Sequence, residues 1–128
     1  MSKKEFFIPH NTPSSKNSKR WTGKMLISSK TVMNWKTLTK EHWVDNKDLF
    51  REAIKNKEKP LKIGFHFVRN SLRKYDWVNP LQTVQDEMVK NGWIDDDNIF
   101  ELIPFPYKRN NEYTTLDREN PGVFIKIL

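Results

Sequence analysis

The most restrictive feature of this 128-residue chain is a strict alternation of side chains over residues 61–69. Four residues are apolar: Leu61, Ile63, Phe65 and Phe67. The residues that alternate with them are Lys62, Gly64 and His66. A period of two predicts a β-strand with one buried face. A single strand cannot bury that face alone, so we expect a sheet with further elements packed against it.

A helical pattern precedes this strand. Trp35, Leu38 and His42 recur at spacings of three and four residues and predict one apolar stripe of a helix that begins near residue 31. Asp45 is a capping residue, at which this helix is expected to kink or restart.

A second helix is expected after the strand. Asn79 and Pro80 predict its N-cap and its first helical residue, and Gly92 is expected to end it. Its buried stripe would contain Leu81, Val84 and Met88. Both predicted helices therefore present an apolar face that the sheet can cover.

Short extended segments complete the predicted fold. Strands are expected at residues 5–9, 24–28, 99–107 and 123–128, with Pro104 confining the third to a sheet edge. The remaining segments, residues 10–24 and 108–121, are polar and indicate loops. Repeats and linkers are absent from the sequence, so we predict one α+β domain over residues 1–128. In this domain the helices pack on one face of a small mixed sheet.

Composition excludes several classes of chemistry. The chain contains no cysteine, which rules out disulfides, thiolate catalysis and cysteine metal sites. Apolar runs are too short for a membrane span or a signal-peptide core, so we expect a cytoplasmic protein without a membrane partner. The three histidines show no ligand spacing, and no phosphate-binding glycine loop is present in the sequence.

The formal net charge of +7 is unevenly distributed. Residues 1–40 hold nine basic groups and one acid, whereas residues 75–107 hold seven acids and one basic group. Basic surfaces attract nucleic acid, and clustered carboxylates are ligands for hard divalent cations. The alternative is that the two signs of charge only solvate different faces of the protein.

The acidic residues supply the candidate site. Asp95, Asp96 and Asp97 follow the predicted helix end, where three adjacent carboxylates repel one another unless a positive group lies between them. In an extended segment Asp95 and Asp97 would share one side. Asp76 lies where a strand gives way to a helix, which is a common position for functional side chains. Solvated turns and caps are the ordinary alternative for all four.

Residues 75–86 and 92–99 together resemble the signature of RusA-type Holliday junction resolvases. That family shows an Asp-x-Asp-Asn run, a helix with a Gln-Asp pair, a glycine, and an Asp-Asp pair before a strand. Asn79, Asp86 and the pair Asp95-Asp96 fall in step with this signature. A family Pro-x-Ser-x-Asn loop near the N-terminus is similar to residues 13–17.

The resemblance implies a RusA-like fold and a small homodimeric endodeoxyribonuclease, encoded by a phage or prophage and acting in DNA recombination or repair. It would cut branched DNA such as four-way junctions, using Mg²⁺ or Mn²⁺. Asp76 and Asp96 would be its catalytic, metal-binding carboxylates. The chain departs from the family at Val78, where an acid is expected, and at Gln82, where a lysine is expected.

Other residues are expected to compensate for these two departures. Asp95 and Asp97 are the predicted additional metal ligands, with Asp86 and Asn79 as accessory residues. Lys74 or Lys16 would supply the missing positive charge. The predicted DNA contacts are Lys16, Asn17, Lys19, Arg20, Arg73 and Lys74.

Two other functions are compatible with the same sequence. The first is a catalytically weak or inactive relative that binds branched DNA without cutting it. The second is an interaction protein that binds no nucleic acid and whose charge serves solubility. Salt-dependent binding to a four-way junction separates this second function from the nuclease and from the inactive relative.

Overall fold

A computed structural model describes residues 3–14, 19–21, 26–28 and 30–128, with the backbone alone for residues 19–21 and 26–28. Within these residues the chain forms seven strands and two helices. The strands are β1 (Glu5–Pro9), β2 (Lys19–Trp21), β3 (Leu26–Ser28), β4 (Leu61–Arg69), β5 (Leu102–Pro106), β6 (Thr114–Leu116) and β7 (Gly122–Ile127), and the helices are α1 (Lys30–Ile54) and α2 (Val78–Lys90).

Five of the strands form one mixed sheet in the order β1-β7-β4-β5, with β6 pairing the end of β4 beyond β5. The β1–β7 and β7–β4 pairs are antiparallel, while β5 and β6 run parallel to β4. Strands β2 and β3 form a separate antiparallel pair. The predicted α+β class and mixed sheet are therefore present, and the alternating strand β4 is paired along both sides.

Both helices pack on the same face of this sheet. The buried core joins Trp35, Trp43 and Phe50 of α1 and Met88 of α2 with inward-facing residues of β1, β4 and β7. Trp93 stacks on Phe50 with ring centroids 4.6 Å apart and contacts other core rings edge-on. The core is thus strongly aromatic, and it anchors the segment that leads into the acidic run.

The opposite face of β4 is exposed at Lys62 but buried from Gly64 onward, which corrects the prediction of a strand with one buried face. His66 is completely buried, and its ring nitrogens hydrogen-bond to the Tyr107 carbonyl oxygen at 2.9 Å and the Thr115 hydroxyl at 2.6 Å. A Cβ on Gly64 would lie 2.7 Å from the Tyr107 ring. Residues distant in sequence cover this face, and a local alternation pattern cannot detect them.

Helix α1 differs from its prediction in two ways. It is one continuous helix through Asp45, and its buried residues include Thr39 and Trp43. Leu38, which the predicted stripe included, is 55% exposed. The helix turns the neighbouring stripe inward because that stripe carries the large Trp43 ring and the Thr39 hydroxyl that accepts the Trp43 indole N–H at 3.0 Å.

Helix α2 ends as predicted and begins differently. Gly92 adopts a left-handed φ of 76° immediately after the C-cap residue Asn91. Trp77, rather than Asn79, occupies the N-cap position and makes no side-chain capping hydrogen bond. The prediction of Asn79 as the N-cap is therefore wrong, because the helix starts one residue before Asn79.

The predicted polar loop over residues 108–121 contains strand β6. Its sequence, Thr-Thr-Leu, is too short to show a strand pattern, and its pairing with β4 defines it as a strand. Neither described helix has the length and hydropathy required to span a lipid bilayer.

Candidate functional site

The acidic run is positioned by the end of α2. Gly92 reverses the chain, and the Trp93 N–H bonds to the Met88 carbonyl oxygen at 2.8 Å. The Trp93 side chain is fully buried, and its indole donates to the Trp43 carbonyl oxygen at 2.8 Å. Burial of Trp93 and Ile94 fixes the point at which the following three aspartates reach the surface.

Asp95 belongs to an ion-pair cluster with the end of α1 and the connection after it. Its carboxylate lies 2.9 Å from the Lys59 ammonium and 3.6 Å from Arg51. Lys59 also contacts Glu101 at 2.6 Å. The hydrogen bond and charge of Lys59, with the charge of Arg51, lower the pKa of Asp95. Cations of the protein itself therefore compensate this carboxylate.

Asp97 has a different set of neighbours. The Gln82 side-chain amide donates to Asp86 at 2.7 Å and to Asp97 at 3.1 Å, so one nitrogen holds two carboxylates. Gln82 and Asp86 are one turn apart on α2. Asp95 and Asp97, which would share one side in an extended segment, thus contact different residues. Lys90 lies four residues after Asp86, a spacing that allows an ion pair, but Asp86 accepts the Gln82 amide instead.

Asp96 lies between these two arrangements and is exposed. One of its oxygens accepts the Asp97 backbone N–H at 2.8 Å, and the other accepts the Asn98 amide at 3.0 Å. These two hydrogen bonds, the backbone bond first, lower its pKa. Asp96 therefore presents an ionised carboxylate that remains open to solvent.

Asp76 lies on a different feature, an open groove of 1140 Å³ beside the start of α2. Asn79, Lys74 and Arg73 line the same groove, so four of the predicted site residues share it. Arg73 and Lys74 are exposed, as is Asp76. The groove thus places one carboxylate among basic side chains, an arrangement that suits an anionic ligand together with a cation.

At Val78, where the family resemblance expects an acid, the side chain is 61% exposed on the first turn of α2. Val78, Gln82 and Asp86 are spaced by four residues and are all exposed, so they follow one stripe of the helix. This stripe therefore contains both positions at which the chain departs from the family, Val78 in place of an acid and Gln82 in place of a lysine.

Among residues 3–14 and 30–128, no three His, Asp or Glu side chains are arranged to hold a metal ion. The carboxylates occur instead in smaller sets. Asp86 and Asp97 meet at Gln82, Asp95 is ion-paired, and Asp76 lies in the basic groove.

Part of the predicted DNA interface lies outside the described residues. This applies to Lys16 and Asn17 entirely, and to the side chains of Lys19 and Arg20, whose backbone belongs to β2. The described segment just before them is close to the groove, which Ser14 lines. The Thr83 hydroxyl of α2 donates to the Pro13 carbonyl oxygen at 2.8 Å.

Two contributors to this region, Arg69 and Gln82, were missed by the sequence reasoning. Arg69 donates to the Thr12 carbonyl oxygen at 2.7 Å, and its guanidinium lies 4.6 Å from the centre of the Tyr75 ring. Gln82 was noted only as a missing lysine, although its amide organises two carboxylates. A glutamine four residues before an aspartate was the available signal for that contact.

Comparison with models of known protein families gives no match, and comparison with curated proteins gives none either.

Proposed function

We propose that this protein is a metal-dependent, structure-selective endodeoxyribonuclease of the RusA type, which resolves branched DNA such as Holliday junctions. The observation that carries the proposal is the groove in which Asp76 lies beside Arg73 and Lys74. A phosphodiester is anionic, so the basic side chains attract it while the carboxylate repels it. A divalent cation between carboxylate and phosphate removes that conflict.

The donor chemistry fits Mg²⁺ or Mn²⁺. Magnesium in nucleic-acid enzymes is held by one or two carboxylates, with water and phosphate oxygens completing its shell. Asp76 and Asp96 are the proposed ligands, with Asp97 and Asp86 as further carboxylates, whereas Asp95 is already paired with Lys59. When bound, the metal would lower the pKa of water and stabilise charge on the phosphoryl group.

The residues of the chain would contribute binding and orientation. Arg73 and Lys74 would hold phosphates along the groove, and Lys16, Asn17, Lys19 and Arg20 would extend this contact from the N-terminal loop. Ser14 lines the groove two residues before Lys16. A homodimer would present two equivalent centres to a junction with two-fold symmetry. The setting we propose is the cytoplasm of a bacterial host, with a phage or prophage as the source.

The second candidate is a protein that binds branched DNA without cutting it. Two observations favour it. Gln82 carries no charge at the position where the family has lysine, and its amide is already used by Asp86 and Asp97. Val78 presents an exposed apolar side chain where the family has an acid.

A junction assay separates these candidates. The full chain is incubated with a four-way junction or a linear duplex of matching sequence, in Mg²⁺, Mn²⁺ or EDTA. We expect paired nicks in the junction with either metal and none in EDTA. Junction binding without nicks supports the second candidate, and equal or absent binding to both DNAs contradicts both.

Asp76→Asn is the informative variant for this assay, and Asp117→Asn is its matched control. Asp117 is a surface aspartate in the loop before β7, where its side chain accepts the Glu119 backbone N–H at 3.0 Å. Asparagine keeps that acceptor. Loss of nicking in Asp76→Asn alone assigns the activity to the groove, whereas equal activity of both variants would contradict the assignment.

A further inference from the structure

Leu72 is an exposed residue near the start of the loop that joins β4 to α2, residues 70–77, which we name the Leu72 loop. It is 78% exposed, a value that only Phe100 equals among the large apolar side chains of the described residues. Exposed single leucines are common on protein surfaces. Leu72 differs from such residues because two grooves and two basic residues lie next to it.

The Leu72 loop is held at both ends. At its start, the Asn70 backbone N–H donates to the Asn11 side chain at 3.1 Å. Toward its end, the Tyr75 hydroxyl donates to the Thr114 hydroxyl at 2.7 Å, and the Tyr75 ring packs under the Arg69 guanidinium. A loop braced in this way presents its outer side chain with little further loss of conformational entropy on binding.

Leu72 lies where two open grooves adjoin. One is the 1140 Å³ groove that contains Asp76, and the other is a 300 Å³ groove lined by Glu112 and Thr115. Leu72 and Arg73 line both grooves. A highly exposed apolar side chain therefore lies at the junction of two grooves, and two basic residues follow it directly in the chain.

We propose that Leu72 is a wedge that enters DNA between unstacked bases at a branch point, while Arg73 and Lys74 hold the flanking phosphates. Apolar side chains of this size separate base steps in proteins that deform DNA. Stacking is already interrupted at a branch, so insertion there costs less than in a continuous duplex. The wedge rests on the proposed function and specifies how branched DNA is distinguished from linear DNA.

The positive charge of the loop favours DNA over an apolar protein as the partner that binds at Leu72. Arg73 and Lys74 follow Leu72 directly, and Arg69 lines both grooves. Phosphates spaced along a strand would meet these cations on either side of the wedge.

Fluorescence of 2-aminopurine tests the wedge. The base is placed at the branch of a four-way junction, and the full-length protein is added in EDTA so that no strand is cut. Wild-type protein is expected to raise the fluorescence, because 2-aminopurine brightens when it loses its stacking partners. Leu72→Ser is expected to abolish the rise, and Leu72→Phe is expected to retain it.

Phe100→Ser is the matched control, since it removes an equally exposed apolar side chain that lines neither groove. We expect it to behave as wild type. Leu72→Ser should also reduce the preference for junction over linear duplex by about tenfold, whereas the affinity for linear duplex stays constant.

The outcomes separate the wedge from the proposed function. Junction binding and cleavage by wild type, with an undiminished fluorescence rise in Leu72→Ser, would overturn the wedge alone. Equal losses in Leu72→Ser and Phe100→Ser would also overturn it, since the effect would then be a general response to lost apolar surface. Failure of wild-type protein to prefer a junction would overturn both proposals.

Discussion

Asp95 and Asp97 are two residues apart in the chain, yet their electrostatic environments differ. Asp95 is paired with Lys59 and Arg51, whereas Asp97 shares the neutral amide of Gln82 with Asp86. The same residue type therefore has a cationic partner at one end of the acidic run and an uncharged one at the other.

The difference indicates that one acidic segment has two roles, a structural ion pair at Asp95 and a negatively charged surface at Asp97. A carboxylate compensated by lysine and arginine gains little from a metal ion and helps to join the acidic run to the end of α1. An amide orients two carboxylates without supplying a positive charge. Among the residues whose side chains the structure describes, no cation pairs with Asp86 or Asp97, so this uncompensated end is the one that a divalent cation would stabilise most.

The largest expected effect lies next to this uncompensated end. Asp96→Asn should lower metal-dependent junction cleavage by about a hundredfold or more. The reason is that an uncharged amide binds a divalent cation more weakly than a carboxylate does. Junction binding in EDTA should be unchanged or tighter. Single-turnover cleavage and gel-shift titration measure the two effects.

Asp95→Asn is the paired control for that prediction. Its ion pairs are on the surface, so cleavage should stay within about threefold of wild type. If both variants lost cleavage equally, the acidic run would act as a single unit and the contrast between its ends would be wrong.

The basic residues should show the next largest effect. The double variant Arg73→Ala, Lys74→Ala is expected to lower the salt slope of log K for junction binding by about two units, one for each lost phosphate contact. Binding titrated from low to moderate salt measures the slope.

Two companion variants complete the salt series. The triple variant Lys16→Ala, Lys19→Ala, Arg20→Ala should lower the slope by about three units. Lys55→Ala with Lys57→Ala, just after the C-terminal end of α1, should leave it unchanged. A slope that depends only on net charge, regardless of which lysines are removed, would contradict a localised interface.

Val78→Asp restores the acid that the family resemblance expects at this position. It distinguishes a rebuilt centre, in which other carboxylates replace that acid, from a decayed centre, which has lost its activity. The rebuilt centre already has its carboxylates from the acidic run, so an added charge four residues from Gln82 should leave cleavage unchanged within about threefold or reduce it. Cleavage that appears only in Val78→Asp would show instead that the wild-type centre has decayed. A junction assay with Mg²⁺ and Mn²⁺ provides the readout.

The smallest expected effect concerns stability in acid. The pKa of Asp95 is held below its ordinary 3.8 by Lys59, so its contribution is present above that pH and is lost as the pH falls through the folded value. Asp95→Asn should be slightly less stable than wild type at neutral pH and equally stable in strong acid. Urea unfolding at several pH values measures this difference.

Much of the architecture was accessible from local patterns. The strand Leu61–Arg69 follows from its alternation, and the end of α2 follows from Gly92, because both depend on conformational preferences of neighbouring residues. The start of α2 and the inward face of α1 were not accessible in this way. They depend on how Trp77 and Trp43 fit the core, which is a property of packing rather than of sequence spacing.

The sequence by itself determined the α+β class, the acidic run and the basic excess near the N-terminus, because composition and short-range periodicity are local properties. Only the tertiary structure decided that Lys59, 36 residues away, pairs with Asp95, while Gln82 meets Asp97. It also decided that Arg73 and Asp76 line one groove. Such neighbours are chosen by the packing of helices against the sheet, since long-range contacts have no signature in the spacing of residues along the chain.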